Sequence, residues 1–206
     1  PRKLLPDATL KADRIRALDA DVTFSAASVR DAVLPLRSGS AHIRLKNGIL
    51  TADPVAFELP QGRIAGSARL DARQDLPVTA VDLRLTNARL QDFVPAARAG
   101  QALAGGLVAR VRLSGAGESV HRAASNASGD VTVVIPSGEI RKAFAELLGV
   151  NVTRGLGLLL SKNEDKTSIR CGVAHFKATG GVLRADTFVL DTGPVLATGS
   201  GTIDLG

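Results

Sequence analysis

The side chains best suited to chemistry in this 206-residue chain are three histidines, one cysteine and a scatter of carboxylates, and their spacing argues against most reactions. His42, His121 and His175 stand alone, no two at metal-ligand spacing, so each has a solvated or structural place as its default. Cys171 has no partner for a disulfide and no companions for a thiolate metal site. It lies in an alternating segment and is expected to be a small core residue. Gly115 and Gly117 begin a G-x-G, but Val120 takes the third glycine's place, so a turn accounts for them better than a dinucleotide loop. No G-x-S-x-G elbow and no P-loop is present. Asn126-Ala127-Ser128 and Asn151-Val152-Thr153 match the glycosylation triplet, a signal common by chance. Asp19, Asp71, Asp82, Asp186, Asp191 and Asp204 fall at strand ends and on polar phases instead of converging on a pocket. The sequence therefore reads as a non-enzyme, with no catalytic residue, no metal and no cofactor.

Composition narrows the remaining classes. Hydrophobic residues make up 45% of the chain but aromatics only 3%, with six Phe, no Trp and no Tyr. Sugar-binding and single-strand nucleic-acid sites usually rest on flat aromatic platforms, which six scattered Phe do not supply. A net charge of +6 invites a nucleic-acid or acidic-membrane partner. The cations argue for a solvated face instead. Arg44, Lys46, Arg63, Arg69, Arg73, Arg84, Arg110 and Arg112 sit on the polar phase of successive strands, often near Asp71 or Asp82, leaving only a weak attraction to acidic headgroups. The longest uncharged run is far short of a membrane span. No signal peptide is visible, and the absence of any methionine suggests a piece of a longer protein whose anchor lies elsewhere.

The elements that position these residues are mostly strands. From Arg63 to Arg73, Ile64, Gly66, Ala68, Leu70 and Ala72 share one face, while Arg63, Ser67, Arg69, Asp71 and Arg73 share the other. The same period of two runs through Leu18–Phe24, a shorter segment near Ala27–Val33, Ser40–Lys46, Ile49–Leu59 and Val81–Leu85. It recurs through Leu107–Leu113, Asp130–Ile135, Thr167–Ala178, Val182–Asp191 and Val195–Leu205. Asn47-Gly48 is a hairpin turn, and Pro54 marks a bulge or an edge. Helical spacing interrupts at Leu90–Ala97, Val120–Ala127, a helix capped by Ser137 carrying Ile140, Phe144, Leu147 and Leu148, and one capped by Asn151. Ser161–Lys166 reads as a polar loop. No linker divides the chain, so residues 1–206 are taken as one domain.

Such a series needs something to cover its apolar face. From composition alone, two sheets covering each other are favoured over an open, curled sheet. Small inward residues, Gly66, Ala68, Ala109, Ala197 and Gly199, would leave space for a ligand in the open alternative.

Particular segments shift that balance. Ile169–Phe176, Gly180-Gly181-Val182-Leu183, Val189-Leu190-Asp191-Thr192 and Gly199–Leu205 resemble the C-terminal region of AsmA-like proteins. Ser128-Gly129-Asp130-Val131 through Gly138 is similar to the same family, and the resemblance is most specific over 107–205. It implies a mainly β fold, α+β overall: a long curled antiparallel sheet forming an open, taco-like groove with a few short amphipathic helices. It also implies a bacterial envelope protein on the periplasmic face of the inner membrane, resembling bridge-like lipid transfer proteins. Such proteins conduct phospholipid between inner and outer membranes and support outer-membrane homeostasis. On strand phase, the candidate lining residues are Leu18, Val22, Phe24, Ile43, Leu45, Ile64, Leu70, Leu83, Leu85, Val111, Leu113, Phe188, Leu190, Ile203 and Leu205. The expected partners are phospholipid acyl chains, with inner- and outer-membrane proteins as further candidates and nucleic acid excluded. The rival reading is a scaffold for outer-membrane protein assembly that adds a partner's strand at an open sheet edge.

Overall fold

The computed structural model describes residues 8–28, 36–93, 103–142 and 165–206. A short helix α1 (Ala12–Arg16) precedes strands β1 (Ala20–Ala26), β2 (Ser38–Lys46), β3 (Ile49–Glu58), β4 (Arg63–Asp71) and β5 (Val78–Arg89). A single 3-10 turn, Leu90–Asp92, leads toward β6 (Leu103–Ala116) and helix α2 (Val120–Ser125). Then come β7 (Ser128–Ile135), β8 (Gly138–Arg141), β9 (Lys166–Ile169), β10 (Cys171–Thr179), β11 (Val182–Asp191), β12 (Leu196–Thr198) and β13 (Thr202–Asp204). All thirteen strands belong to one antiparallel sheet that does not close, in the order β1-β2-β3-β4-β5-β6-β7-β10-β11-β12. β13 lies beside β12 on the same neighbour, β11, and β8, itself paired with β9, pairs with the start of β6.

The meander follows from local chemistry. Asn47 (φ 51°) and Gly48 (φ 72°) both take the left-handed conformation that a tight two-residue hairpin demands, as do Gly180 (φ 55°) and Gly181 (φ 77°) between β10 and β11. Register shifts break the ladders at Ala41/Ile43, Ala52/Val55, Leu85/Ala88 and His175/Phe176. The second contains Pro54 and the third Asn87, at φ 52°. Bulges of this kind bend a strand and increase its twist. Gly66 sits in β4 at φ 155°, where a Cβ would collide with the carbonyl of Asp82 on β5. Only glycine allows the two backbones to pair so closely there.

Several expectations are corrected. Ser137 does not start a helix at once: Gly138–Arg141 is a strand, and Ile140 is buried in it beside Ile169, Leu190 and Ala197. The rest of that segment past residue 142, the helix expected from Asn151 and residues 161–164 of the expected Ser161–Lys166 loop lie outside the described residues. So does most of Ala27–Val33. The Leu90–Ala97 helix is a 3-10 turn as far as it is described. The stretches expected as single strands at Thr167–Ala178 and Val195–Leu205 are each two, β9 with β10 and β12 with β13. Cys171 is exposed, not a core residue. In β10 the inward phase is held by Gly172, Ala174, Phe176 and Ala178, which leaves Cys171 on the outward one.

The outward face is a lattice of charge. Ser67, Asp82, Arg112, Asp130, Lys177, Arg184 and Thr202 lie in one cross-strand row. Arg110 Nε and Nη2 donate to Asp82 Oδ1 and Oδ2 at 3.0 and 2.8 Å, and Arg112 Nη2 donates to Asp130 Oδ1 at 2.8 Å. Near the β1 edge, Asp21 Oδ1 lies 2.6 Å from His42 Nε2, and Arg44 Nε donates to Oδ2 at 3.3 Å. Hydrogen bonds from His42 and Arg44 hold the Asp21 carboxyl below its ordinary value, those from Arg110 do the same for Asp82, and those from Arg73 for Asp71. These pairs are solvent-exposed, so each adds little alone.

Two outcomes are expected. A carboxylate whose folded pKa is depressed contributes stability above its unfolded value, about 3.9, and loses it as pH falls through the lower folded value. Thermal melts should therefore drop on acidification below about pH 4, and combining Asp21→Asn, Asp71→Asn and Asp82→Asn should flatten that drop; an unchanged acid dependence in the triple variant would count against the lattice. Gly66→Ala should cost about 1–3 kcal/mol through backbone strain and collision, read by urea unfolding.

Candidate functional site: the apolar face and its chamber

Each strand contributes its inward phase to a continuous surface. One cross-strand row runs Val22–Ile43–Ala52–Ala68–Val81–Leu113–Gly129–Ala178–Leu183–Ile203, from the first strand of the sheet to the last. A parallel row runs Phe24–Ala41–Val55–Gly66–Leu83–Val111–Val131–Phe176–Ala185. Neither row holds a charged or hydrogen-bonding side chain. With no such group, the surface can do one thing chemically: remove hydrocarbon from water.

The described residues cover this surface at its corners, and much of its middle is half-buried. At one corner Ile140 of β8 and Ile169 of β9 pack with Leu190 and Ala197, joined by Leu103 and Ile135. At another, Leu59, Ala88, Leu90 and Leu107 form a core with Leu36, Ile64, Leu85 and Phe93 around it. Further along the strands from both clusters, Leu83, Val111, Val131 and Phe176 are only partly buried. Toward the sheet edges the same face is more open still, with Val22 49%, Phe24 51% and Ile203 43% exposed.

A third feature lies between the sheet and the two helices. A cavity of about 660 Å³ is bounded on the sheet side by Leu50, Ala68, Leu70, Thr79, Val81, Leu113 and Gly115. Leu10 and Ile15 bound it on the N-terminal side, and Val120, Ala123, Ala124 and Ala127 on the side of α2. Ser119 caps α2 by accepting from the Arg122 amide at 3.2 Å, which fixes the helix where its small apolar residues face the sheet. The N-terminal segment is tied to the same connection: the Leu10 amide donates to Glu118 O at 2.8 Å and the Val120 amide to Ala8 O at 3.1 Å.

The candidate lining residues distribute as follows. Val22, Phe24, Ile43, Leu45, Ile64, Leu70, Leu83, Leu85, Val111, Leu113, Phe188, Leu190 and Ile203 all occupy the inward phase of their strands. Leu70 and Leu113 also line the large cavity, while Phe188 and Leu190 line a smaller one of about 110 Å³ with Val133 and Ala174. Leu45, Leu70 and Leu190 are already buried by the chain itself. Leu18 precedes β1 and Leu205 follows β13, both outside strands. Sequence reasoning missed Leu10, Ile15, Leu50 and the alanines of α2 as walls of one cavity. The spacing of Val120, Ala123, Ala124 and Ala127 gave the helix, but only tertiary contact shows what it faces.

Of the residues with reactive side chains, His42 is engaged by Asp21, and His175 Nδ1 lies 2.9 Å from Thr132 Oγ1 on the outward face. Among the described residues no three His, Cys, Asp or Glu side chains gather as a metal site. No helix of the described residues is long and apolar enough to cross a membrane.

The chain is 27% identical over 202 residues to the AsmA family protein YhjG of Escherichia coli (strain K12), an alignment that takes in 97% of this chain but 29% of the relative. The chain thus spans under a third of the length of the curated relative it matches. No solved structure matches it. The family model described as "AsmA family" matches residues 3–188, and with a match of that extent the chain belongs to the AsmA family.

Proposed function

We propose that this segment binds phospholipid by its acyl chains and conducts it along the apolar face of the open sheet, without catalysis, between the inner and outer membranes. The observation that carries the reading is the unbroken apolar row from Val22 to Ile203, still partly open to solvent at its middle and ends. AsmA family membership suggests an envelope-related function, and it supports a periplasmic setting for the sheet.

The energetics favour a surface of this kind. Each CH₂ exposed to water costs about 0.8 kcal/mol, so carrying two acyl chains through the aqueous gap unaided opposes transfer by tens of kcal/mol. A continuous apolar strip removes most of that barrier and needs no reactive group. Ten strands side by side at about 4.8 Å make a strip on the order of 45 Å long. That length suits a section of a bridge and holds one or two lipids end to end. The polar row behind it keeps the outer face in water, so the two sides of one sheet divide the work.

A second reading is favoured by one observation: the outer edge of β1 pairs with no other strand among the described residues. Such an edge can accept a partner's strand, as an assembly scaffold would. The two readings separate cleanly. On the lipid reading, gently purified protein yields phospholipid by native mass spectrometry, and Leu83→Glu or Val111→Glu removes it while the fold persists by circular dichroism. On that reading Thr23→Pro, which spoils the β1 edge, leaves lipid content unchanged. A folded, lipid-free wild type, or lipid retained by both Glu variants, would sink the lipid reading.

A further inference from the structure

We propose that the outward face carries an oxyanion site: a cleft between Arg84 on β5, Arg110 and Arg112 on β6 and Thr132 on β7 that receives a phosphate group. The inference goes beyond the lipid reading and does not depend on what the inward face holds.

Register brings these side chains together. Arg84, Arg110, Thr132 and His175 stand opposite one another in a single outward row through β5, β6, β7 and β10. Arg112 and Asp130 occupy the next outward row, paired with each other across β6 and β7. A cleft of about 330 Å³ lies over this ground, bounded by Arg84, Arg110, Arg112, Asp130 and Thr132. Val108 and Val134, a further cross-strand pair, close one end of it.

The cations here outnumber their partners. Like charges directly opposite on neighbouring strands repel, and Arg84 faces Arg110 in that way. The carboxylates beside them are committed elsewhere. Asp82 accepts from Arg110 with both oxygens at 3.0 and 2.8 Å, and Asp130 accepts from Arg112 at 2.8 Å. Arg44, Arg63 and Arg73 on the same face each reach a carboxylate, Asp21, Glu58 and Asp71 respectively. Arg84 does not. It feels the charge of Asp82 but makes no hydrogen bond and no ion pair among the described residues.

The free guanidinium sets the ligand's chemistry. Its five N–H donors form a planar fork that matches two oxygens of a phosphate. A carboxylate has only two oxygens, enough for one guanidinium. A phosphate has more, so it can bridge Arg84 and Arg110 and offset their repulsion. Thr132 Oγ1 lies 2.9 Å from His175 Nδ1. With His175 donating at Nδ1, the Thr132 proton is left for the ligand.

The test titrates the whole chain with sodium phosphate by isothermal calorimetry, against sodium chloride at matched ionic strength. In parallel the chain is pelleted with vesicles of phosphatidylcholine alone, or of equal parts phosphatidylcholine and phosphatidylglycerol. Arg84→Gln should weaken phosphate binding about tenfold, the scale of one charged hydrogen bond. Arg63→Gln, an outward cation bound to Glu58 and outside the cleft, should change it less than twofold. Phosphatidylglycerol-dependent pelleting that Arg84→Gln lowers assigns the phosphate to a lipid head. Saturable binding of inorganic phosphate without such pelleting assigns it to a free phosphate, and either result supports the site. Phosphate no better than chloride, with vesicle binding that Arg84→Gln leaves unchanged, overturns it. Equal weakening by Arg84→Gln and Arg63→Gln, the mark of diffuse charge, overturns it as well.

Discussion

Register is the constraint on which everything else in this molecule depends. A strand's side chains alternate, so a slip of one residue between neighbours would turn an apolar face into a charged one. Here nine successive pairings keep Val22, Ile43, Ala52, Ala68, Val81, Leu113, Gly129, Ala178, Leu183 and Ile203 in line. The same pairings align Asp82, Arg112, Asp130 and Lys177 on the reverse. Hairpin turns at Asn47-Gly48 and Gly180-Gly181 set the phase, and the ion pairs of the outward face oppose slippage because opposite charges meet across strands.

The consequence is a sheet whose two faces have different tasks. The outward face is wet and charged, with several of its cations paired to Asp21, Asp71, Asp82 and Asp130. The inward face is dry in composition, and among the described residues the β8–β9 pair, the Leu59–Leu90 cluster and α2 cover its corners while its centre is half-buried. A globular core of this composition would close upon itself. In this chain the strands run on as one sheet, with bulges at Pro54 and Asn87 supplying bend and twist where two packed layers would otherwise form. An open face of this kind is a feature that monomeric soluble domains ordinarily avoid.

The strands were legible in the sequence because their signal is local: Arg63–Asp71 declares its phase within nine residues, and Asn47-Gly48 declares its turn within two. The bulge at Pro54 was legible for the same reason. Ile140 was not, because its helical spacing to Phe144 competes with pairing to Leu103 and Thr167, and such long-range pairing leaves no local trace. Cys171 was misread because the phase of β10 turns on which neighbour it registers with. Thirteen of the candidate lining residues share the inward phase because phase chose them, while Leu18 and Leu205 lie just outside their strands. The chamber was invisible, since Leu10, Leu70, Leu113 and Ala124 meet only after the meander has brought α1 and α2 over the sheet.

The most direct measurement uses the sparse labelling chemistry of the chain itself. With Cys171→Ser as background, single cysteines placed at 109 through 113 of β6 and labelled with bimane can be exposed to phospholipid carrying a nitroxide on its acyl chain. Contact along the inward phase requires a period of two: strong quenching at 109, 111 and 113, weak at 110 and 112. Equal quenching in both phases, or none in either, would contradict the view that this face of the sheet holds hydrocarbon.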